Sequence, residues 1–509
     1  MKKGSIATEN EQLRQENYVL RERISQLERM IFGARRERFL PAINPAQGLL
    51  FEEAPIALET ERQEEETSPK SSSANKTKKG RKSIKRNTFP AHLLREEQLI
   101  EADTSGMENP VKIGEDVTEL LAYKPAEIQV KKIIRPRYAD QSDENKGVVQ
   151  APIPLRLIPK GMVDESLVAQ IIVDKIVLHL PVYRFAKKLR LLGIDFIKQN
   201  NLHNWLHRGA SALLPLYNLL EQEVVASGYI QADETHIKVL AKNKVGASHR
   251  GQMWVYFSPE KRLVLFNYEP TRSEAAATEI VGTYEGFLQC DGYSVYQALA
   301  EKRKEQIQLT HCMAHARRKF YDAKESEPEL AGYFLAKVQQ LYELEQQARD
   351  EQLGTEQRLT LRQTKAIPIL EELKEWLLDK SGDRTLLPKS MIRKAIDYTL
   401  RLWEGLSTYA LHGRLEIDNN LVENTIRPVA IGRKNYLFAG SHEAAQNLAV
   451  LYSIVGSCEK NNINPYLYLN WILRKMATEK VTPQAVEWLP HRVNPELFRQ
   501  WCLGIDKTK

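Results

Sequence analysis

Cysteine is scarce in this chain of 509 residues: there are four, Cys290, Cys312, Cys458 and Cys502, and no C-x-x-C pair among them. That excludes a disulfide framework and a cysteine-rich zinc site. Apolar runs of membrane-spanning length are also missing. The opening stretch, MKKGSIATENEQL, starts basic but turns polar at once, without the apolar segment of a signal peptide. A cytoplasmic location is therefore expected. Neither sign of charge dominates. The 73 Lys and Arg against 66 Asp and Glu leave a net charge of +7. The sequence pI near 8.9 only mildly favours a polyanionic partner. What is present in quantity is apolar: 42% of residues are hydrophobic, enough for a substantial core. The length suits roughly three or four folding units of ~100–200 residues each.

The first segment, 1–40, has a heptad pattern. With Leu13, Leu20 and Leu27 at position d, Asn10, Asn17, Ile24 and Ile31 fall at a. The g-to-e pairs Glu9–Arg14, Glu16–Arg21 and Arg23–Glu28 are all of opposite sign. That pattern suits a parallel two-stranded coiled coil, in which Asn at a sets register at some cost in stability. The expected homodimer contacts are Leu13, Leu20, Ile24 and Leu27; a single amphipathic helix packed on its own domain is the alternative. Residues 41–90 read as a linker, acidic and then basic. The stretch PKSSSANKTKKGRKSIKR holds too little apolar surface to offset chain entropy. Lys78, Lys79, Arg81 and Lys82 in it either grip phosphates without reading sequence or belong to a solvated tether.

Residues 91–150 alternate apolar and polar in short runs, as a small β module would. Between 160 and 225 the pattern turns helical. VYRFAKKLRLL, opened by Pro181 and closed by Gly193, resembles one half of a helix-turn-helix, and Lys187 and Lys188 make it basic. An ordinary three-helix bundle fits the same pattern. From 226 to 325 strands dominate: GYIQADETHIKVL, a hairpin turning at Ser258–Lys261, GFLQCDGYSVY and QIQLTHCMAH, the last leading into a basic helix. Residues 326–412 are almost wholly helical, 413–444 hold a further helix, and 445–509 add two around Asn464-Pro465. The order predicts a mixed α/β sheet carrying a helical insertion.

Three carboxylates stand out in that frame. Asp233 lies in the first core strand, Asp291 at the end of the fourth, and Glu423 begins a short helix after the insertion. Asp is disfavoured inside strands, so two at strand centres or ends of one sheet call for an explanation. Carboxylates converging from separate elements are what Mg²⁺ or Mn²⁺ requires, since both prefer oxygen ligands. Each residue also has a plain structural reading. Asp291-Gly292 can be a turn, and Asn420 to Glu423 matches a capping box with an ion pair onward to Arg427. Glu234 should face away from Asp233, because neighbouring strand residues point to opposite sides. Basic residues flank the trio: Arg317, Arg318 and Lys319 on one side, Arg427, Arg433, Lys434 and Asn435 on the other. Such groups position a phosphate backbone without specifying sequence.

The stretches GYIQADETHIKVL, FLQCDGYSVYQAL, CMAHARRKFYDA and DNNLVENTIRPVAIGRKNYLFAGS together resemble the insertion sequence 66 family of bacterial transposases. The resemblance runs over nearly the whole chain. It implies an RNase H-like α/β core of the DDE type, with a mixed five-stranded sheet, and a catalytic triad of Asp233, Asp291 and Glu423 holding two Mg²⁺ or Mn²⁺ ions. It implies cleavage of double-stranded DNA at the element's ends and strand transfer into a target, at the bacterial nucleoid, with accessory proteins of the same element as possible partners. A decayed copy that binds DNA without cutting is the alternative. Members of the family often carry two cysteine pairs in the N-terminal binding domain. Residues 98–145 here contain none, with Asp103, Gly106, Asp140 and Asp143 lying where pairs would be expected. Structural zinc is therefore not expected in this chain.

Overall fold

The computed structural model describes residues 161–240, 248–273 and 280–502, together with 137–139, 148–150, 154–159 and single positions nearby. The heptads with Leu13, Leu20, Ile24 and Leu27, and the basic run with Lys78, Lys79, Arg81 and Lys82, lie outside the described residues. Two compact units divide the chain, Leu58–Ile153 and the remainder. In the smaller unit, β1 (Arg137–Ala139) pairs antiparallel with β2 (Val148–Gln150). Ile128, Val130 and Ile133, which read as strand, lie in neither helix nor strand. Val130 is 95% exposed, so the alternation buries no face there.

The larger unit opens with three helices, α1 (Glu165–Ile176), α2 (Val182–Leu191) and α3 (Gln199–Val225). Asp164 caps α1 by accepting from the Ser166 amide. Pro181 is the N-cap of α2, one place earlier than the first-turn position its sequence suggested. Gly193 leaves α2 with φ of +77°, a conformation glycine takes at no steric cost. Their buried faces do not close on one another alone. Val168, Ile172, Leu202, Leu213 and Leu220 belong to one apolar cluster with the sheet and the C-terminal helices.

Next come β3 (Tyr229–Leu240), β4 (Ser248–Ser258) and β5 (Leu263–Glu269), an antiparallel meander. β6 (Gly286–Cys290), helix α4 (Ser294–Lys302) and β7 (Ile307–His311) complete the sheet. Strand order is β5-β4-β3-β6-β7, with β6 parallel to β3 and β7 parallel to β6. β4 is buried at every residue from Gly251 onward, as expected of a strand covered on both faces. The outer edge of β5 is closed by hydroxyls rather than by another strand. The amides of Val264 and Phe266 donate to Ser457 and Ser453 of a C-terminal helix at 2.9 and 2.8 Å. An unpaired edge is thereby satisfied and shielded.

Helix α5 (Met313–Ala323) follows β7, and the helical stretch after it consists of α6 (Pro328–Asp350), α7 (Thr355–Leu361), a π segment (Arg362–Ala366), α8 (Ile367–Gly382), α9 (Met391–Arg401) and α10 (Trp403–Ser407). Phe334, Leu341, Leu373 and Ile396 of this stretch form a second apolar cluster, which also takes in Phe320 of α5 and Tyr229 of β3. The chain then returns to the sheet through α11 (Asn420–Tyr436) and ends with α12 (His442–Lys460), α13 (Pro465–Thr478) and α14 (Pro495–Cys502). Asn464 caps α13, whose first residue is Pro465. Among the described residues no helix is long and apolar enough to cross a membrane.

Candidate active site

Strand register decides where the two aspartates lie. In the parallel pair β3 and β6, Gln231 stands opposite Gln289. Asp233 and Asp291 each follow two residues later, so they reach the same end of the sheet on the same face. Gly292, at φ of +95°, turns the chain sharply after Asp291. A Cβ there would meet Leu402 Cδ1 at 2.8 Å, so a side chain would be strained by the backbone conformation and would also have to displace Leu402. Asp291 also starts the turn into α4, its Oδ1 accepting from the Tyr293 amide at 3.0 Å. Its carbonyl accepts from the Tyr398 hydroxyl at 2.6 Å, which ties the strand end to α9 of the insertion.

Glu423 arrives in the first turn of α11, a helix of 17 residues rather than a short one. The expected capping box is absent. Asn419 is the N-cap and makes no side-chain cap bond, while Asn420 donates to Asp418 at 2.9 Å. The helix start is held instead by the two glutamines beneath the aspartates. Gln231 Nε2 donates to Gln289 Oε1 and to the Asp418 carbonyl, both at 2.9 Å. Its Oε1 accepts from the Val422 amide at 3.1 Å. Gln289 Nε2 donates to the Glu416 carbonyl at 2.8 Å, and the Tyr229 hydroxyl donates to Gln289 at 2.7 Å. Gln231 is 0% and Gln289 1% exposed, so no water competes. This amide lattice joins both strands to the segment carrying Glu423. Reasoning from carboxylates alone passed over it, although the sequence holds a signal: both aspartates close a Q-x-D triplet, Gln231-Ala232-Asp233 and Gln289-Cys290-Asp291. Gln231→Leu is expected to strand the Val422 amide and the Asp418 carbonyl, at about 1–3 kcal/mol each. A lowered midpoint in urea unfolding would register it.

Charge in the site is poorly balanced. Burial holds the Asp233 carboxyl well above its ordinary value of 3.8, and Glu234, Glu423 and Asp291 push it further. Burial, then Asp418 and Asp291, raise Glu423 to about 7, against the opposing pull of Arg318 and Arg427. Glu234 pairs with Arg272, yet its charge still reaches Asp233. Buried like charges of this kind are relieved by a cation, and an all-carboxylate donor set fits a hard divalent ion.

The expected DNA contacts divide. Arg318 and Lys319 are exposed on α5 and Lys434 on α11; Arg317 and Arg427 are half-buried. Asn435 is half-buried and its side chain donates back to the Ile431 carbonyl at 3.4 Å. Arg433 is largely spoken for: it donates to Thr235 Oγ1 and the His236 carbonyl, both at 2.7 Å, and so fastens α11 to β3. On α2, Lys187 is exposed and Lys188 lies 3.7 Å from Asp174.

A mixed sheet that gathers acidic residues at one end, covered by helices and interrupted by a helical insertion, defines an α/β protein of nuclease-like architecture. Comparison with known families specifies it further. The model described as "Transposase IS66 family" matches residues 160–447, more than half of the chain. A second, described as "Transposase C of IS166 homeodomain", matches residues 19–97. Among curated relatives, the protein y4jD of Sinorhizobium fredii is 32% identical over 504 residues, covering 94% of this chain and 95% of its own. Two others from that organism, y4hP and y4qI, are 29% and 32% identical and cover 87% and 88% of their own lengths. All three are described only as uncharacterized. The chain belongs to the IS66 family of transposases.

Proposed function

We propose that the protein is an active DNA transposase, which cuts at the ends of its insertion sequence and joins them to target DNA at Asp233, Asp291 and Glu423. The observation that carries this reading is the register of β3 and β6. It sets the two aspartates side by side, while the glutamines beneath them hold the start of α11 and so deliver Glu423. The strand order β5-β4-β3-β6-β7, three antiparallel strands followed by two parallel ones, supports an RNase H-like core.

Asp233, Asp291 and Glu423 would hold two Mg²⁺ or Mn²⁺ ions. Such a pair, when bound, activates the attacking oxygen and stabilises the leaving one. The chain's own part is positioning and charge. Asp233 sits within β3 and Asp291 directly after β6, and Glu423 on a helix start pinned to those strands. Arg318, Arg427 and Lys434 offer cationic groups for the DNA backbone, with Arg317, Lys319 and Asn435 close along the same helices. Two phosphoryl transfers follow. Water displaces a 3′ oxygen at the element's end, and the freed 3′-hydroxyl then displaces a 3′ oxygen in the target. Pairing through Leu13, Leu20, Ile24 and Leu27 would bring two such sites to the two ends. The work would take place on nucleoid DNA in the cytoplasm, with accessory proteins of the element as further partners. A structural zinc plays no part in this account.

The test is strand transfer by the purified full chain with Mg²⁺ on labelled DNA carrying its own element's ends. Joined product is expected, lost in Asp291→Ala. Joining that survives that substitution would overturn the triad, and specific binding without joining would favour a non-cutting descendant.

A further inference from the structure

We propose that Cys312, His315 and Glu423 form a second metal site, selective for a thiophilic divalent ion such as Zn²⁺. Cys312 is the N-cap of α5 and His315 follows three residues later, so both donors lie on one side of the first turn. Glu423 meets them from α11. The Cys312 sulfur, a His315 ring nitrogen and a Glu423 oxygen all lie within 4.8 Å of one another. Zn²⁺ bonds to such atoms at about 2.0–2.3 Å, which places tetrahedral ligands roughly 3.3–3.8 Å apart. Closing the cluster on an ion therefore needs movement of about an ångström, within reach of side-chain rotation.

Two further observations favour a ligand here. His315 Nδ1 is buried, has no hydrogen-bond partner, and faces Glu423 Oε1 across 3.6 Å, too long for a hydrogen bond. The Cys312 sulfur accepts from the Asn419 amide at 3.5 Å, the kind of outer contact that steadies a metal-bound thiolate. Backbone bonds fix the ligand loop as well: Cys312 N–H donates to the Cys290 carbonyl and Met313 N–H to that of Ile417.

Sulfur and imidazole are poor ligands for Mg²⁺, so this trio and the three carboxylates select different ions. Both sets need Glu423. An ion on Cys312 and His315 would draw that carboxylate from Asp233 and Asp291, so Zn²⁺ is expected to oppose Mg²⁺-dependent joining. Only this consequence rests on the proposed function; the site itself does not.

The experiment uses metal-stripped full-length protein, without DNA, titrated with Co²⁺ as the spectroscopic probe. A sulfur-to-cobalt charge-transfer band should appear with the intense visible bands of tetrahedral cobalt. Cys312→Ser should abolish the charge-transfer band, and His315→Ala and Glu423→Gln should each weaken Co²⁺ binding at least tenfold. Asp233→Asn and Cys458→Ser should retain the band. Circular dichroism on each variant separates lost binding from lost fold. A band that persists in folded Cys312→Ser, or Co²⁺ binding with no such band, would overturn the proposal, whatever strand transfer shows.

Discussion

Asp233→Asn is expected to abolish metal-dependent joining, by on the order of 10³-fold or more, and at the same time to raise the melting temperature of the metal-free protein. The two effects have one cause. Burial and the charges of Glu234, Glu423 and Asp291 hold the Asp233 carboxyl well above its ordinary 3.8. Below that value the group is protonated in both the folded and unfolded chain, and nothing is lost. Above it the folded protein binds more protons than the unfolded chain, so stability falls as pH rises. Asparagine removes the charge but keeps the shape, and its carbonyl can still accept the Glu234 amide bond made at 2.7 Å. The stabilisation should therefore be larger at pH 8 than at pH 4 when melting is followed in EDTA. Mg²⁺ should raise the melting temperature of the unsubstituted protein and leave that of the variant nearly unchanged, because binding to the folded state alone stabilises it. A variant that melts lower in EDTA at pH 8 would contradict this account of the site as a repulsive cluster.

The second large effect lies in the insertion, away from the carboxylates. Arg362→Ala should destabilise the protein by about 3–5 kcal/mol, the cost of leaving a buried charge without its partner. Arg362 is 0% exposed and Glu345 1%. The guanidinium makes a two-pronged pair with Glu345 at 2.7 and 2.8 Å. It also donates to the carbonyls of Tyr409, His412 and Leu415 at 3.0, 2.5 and 2.8 Å. Arg358 adds bonds to Glu345 and to Glu416 at 2.6 and 2.8 Å. These contacts clamp the helices of the insertion to the strand-bound segment that leads to Glu423. Burial alone would raise the Glu345 carboxyl, but the bonds and charge of Arg362, with Arg358, hold it below its ordinary 4.5. A depressed carboxyl contributes stability above its unfolded value and loses it as pH falls through the folded one. Arg362→Ala should thus lower the melting temperature at neutral pH, and the gap between variant and parent should narrow on acidification below about pH 4. Equal melting of the two proteins at pH 7 would refute the clamp. Lysine is not expected to rescue, since one ammonium cannot reproduce a planar fork with five donors.

The insertion could be anticipated as helical from composition and periodicity, but not its attachment. Nothing local marks Arg362 as a residue whose partners lie at 345 and 409–415. The start of the helix at Glu423 is decided in a related way. Asn420 to Glu423 matches a capping box, and local chemistry favours it, yet Asp418 claims the Asn420 side chain and Gln231 claims the Val422 amide. Distant partners outcompeted the local motif. For the three helices before the sheet, short-range pattern allowed either a separate bundle or a DNA-reading pair. Their apolar residues are shared with β3, β4 and α12, which only packing could reveal.

By itself the sequence determined the elements and their kind. Period-two runs from Tyr229 to His311 predicted strands, helical periodicity predicted the insertion, and Asp233 and Asp291 stood out because Asp is disfavoured in strands, with Glu423 on a following helix as the third carboxylate. Tertiary structure alone decided which residues meet. A parallel register between β3 and β6, a lattice of buried amides under two aspartates, and a thiol and an imidazole turned toward Glu423 are all contacts between residues far apart in the chain. Periodicity reports which face a residue occupies, because it follows from local backbone geometry. It carries no information on the partner across the gap, which is chosen by packing and by the need to satisfy every buried polar group.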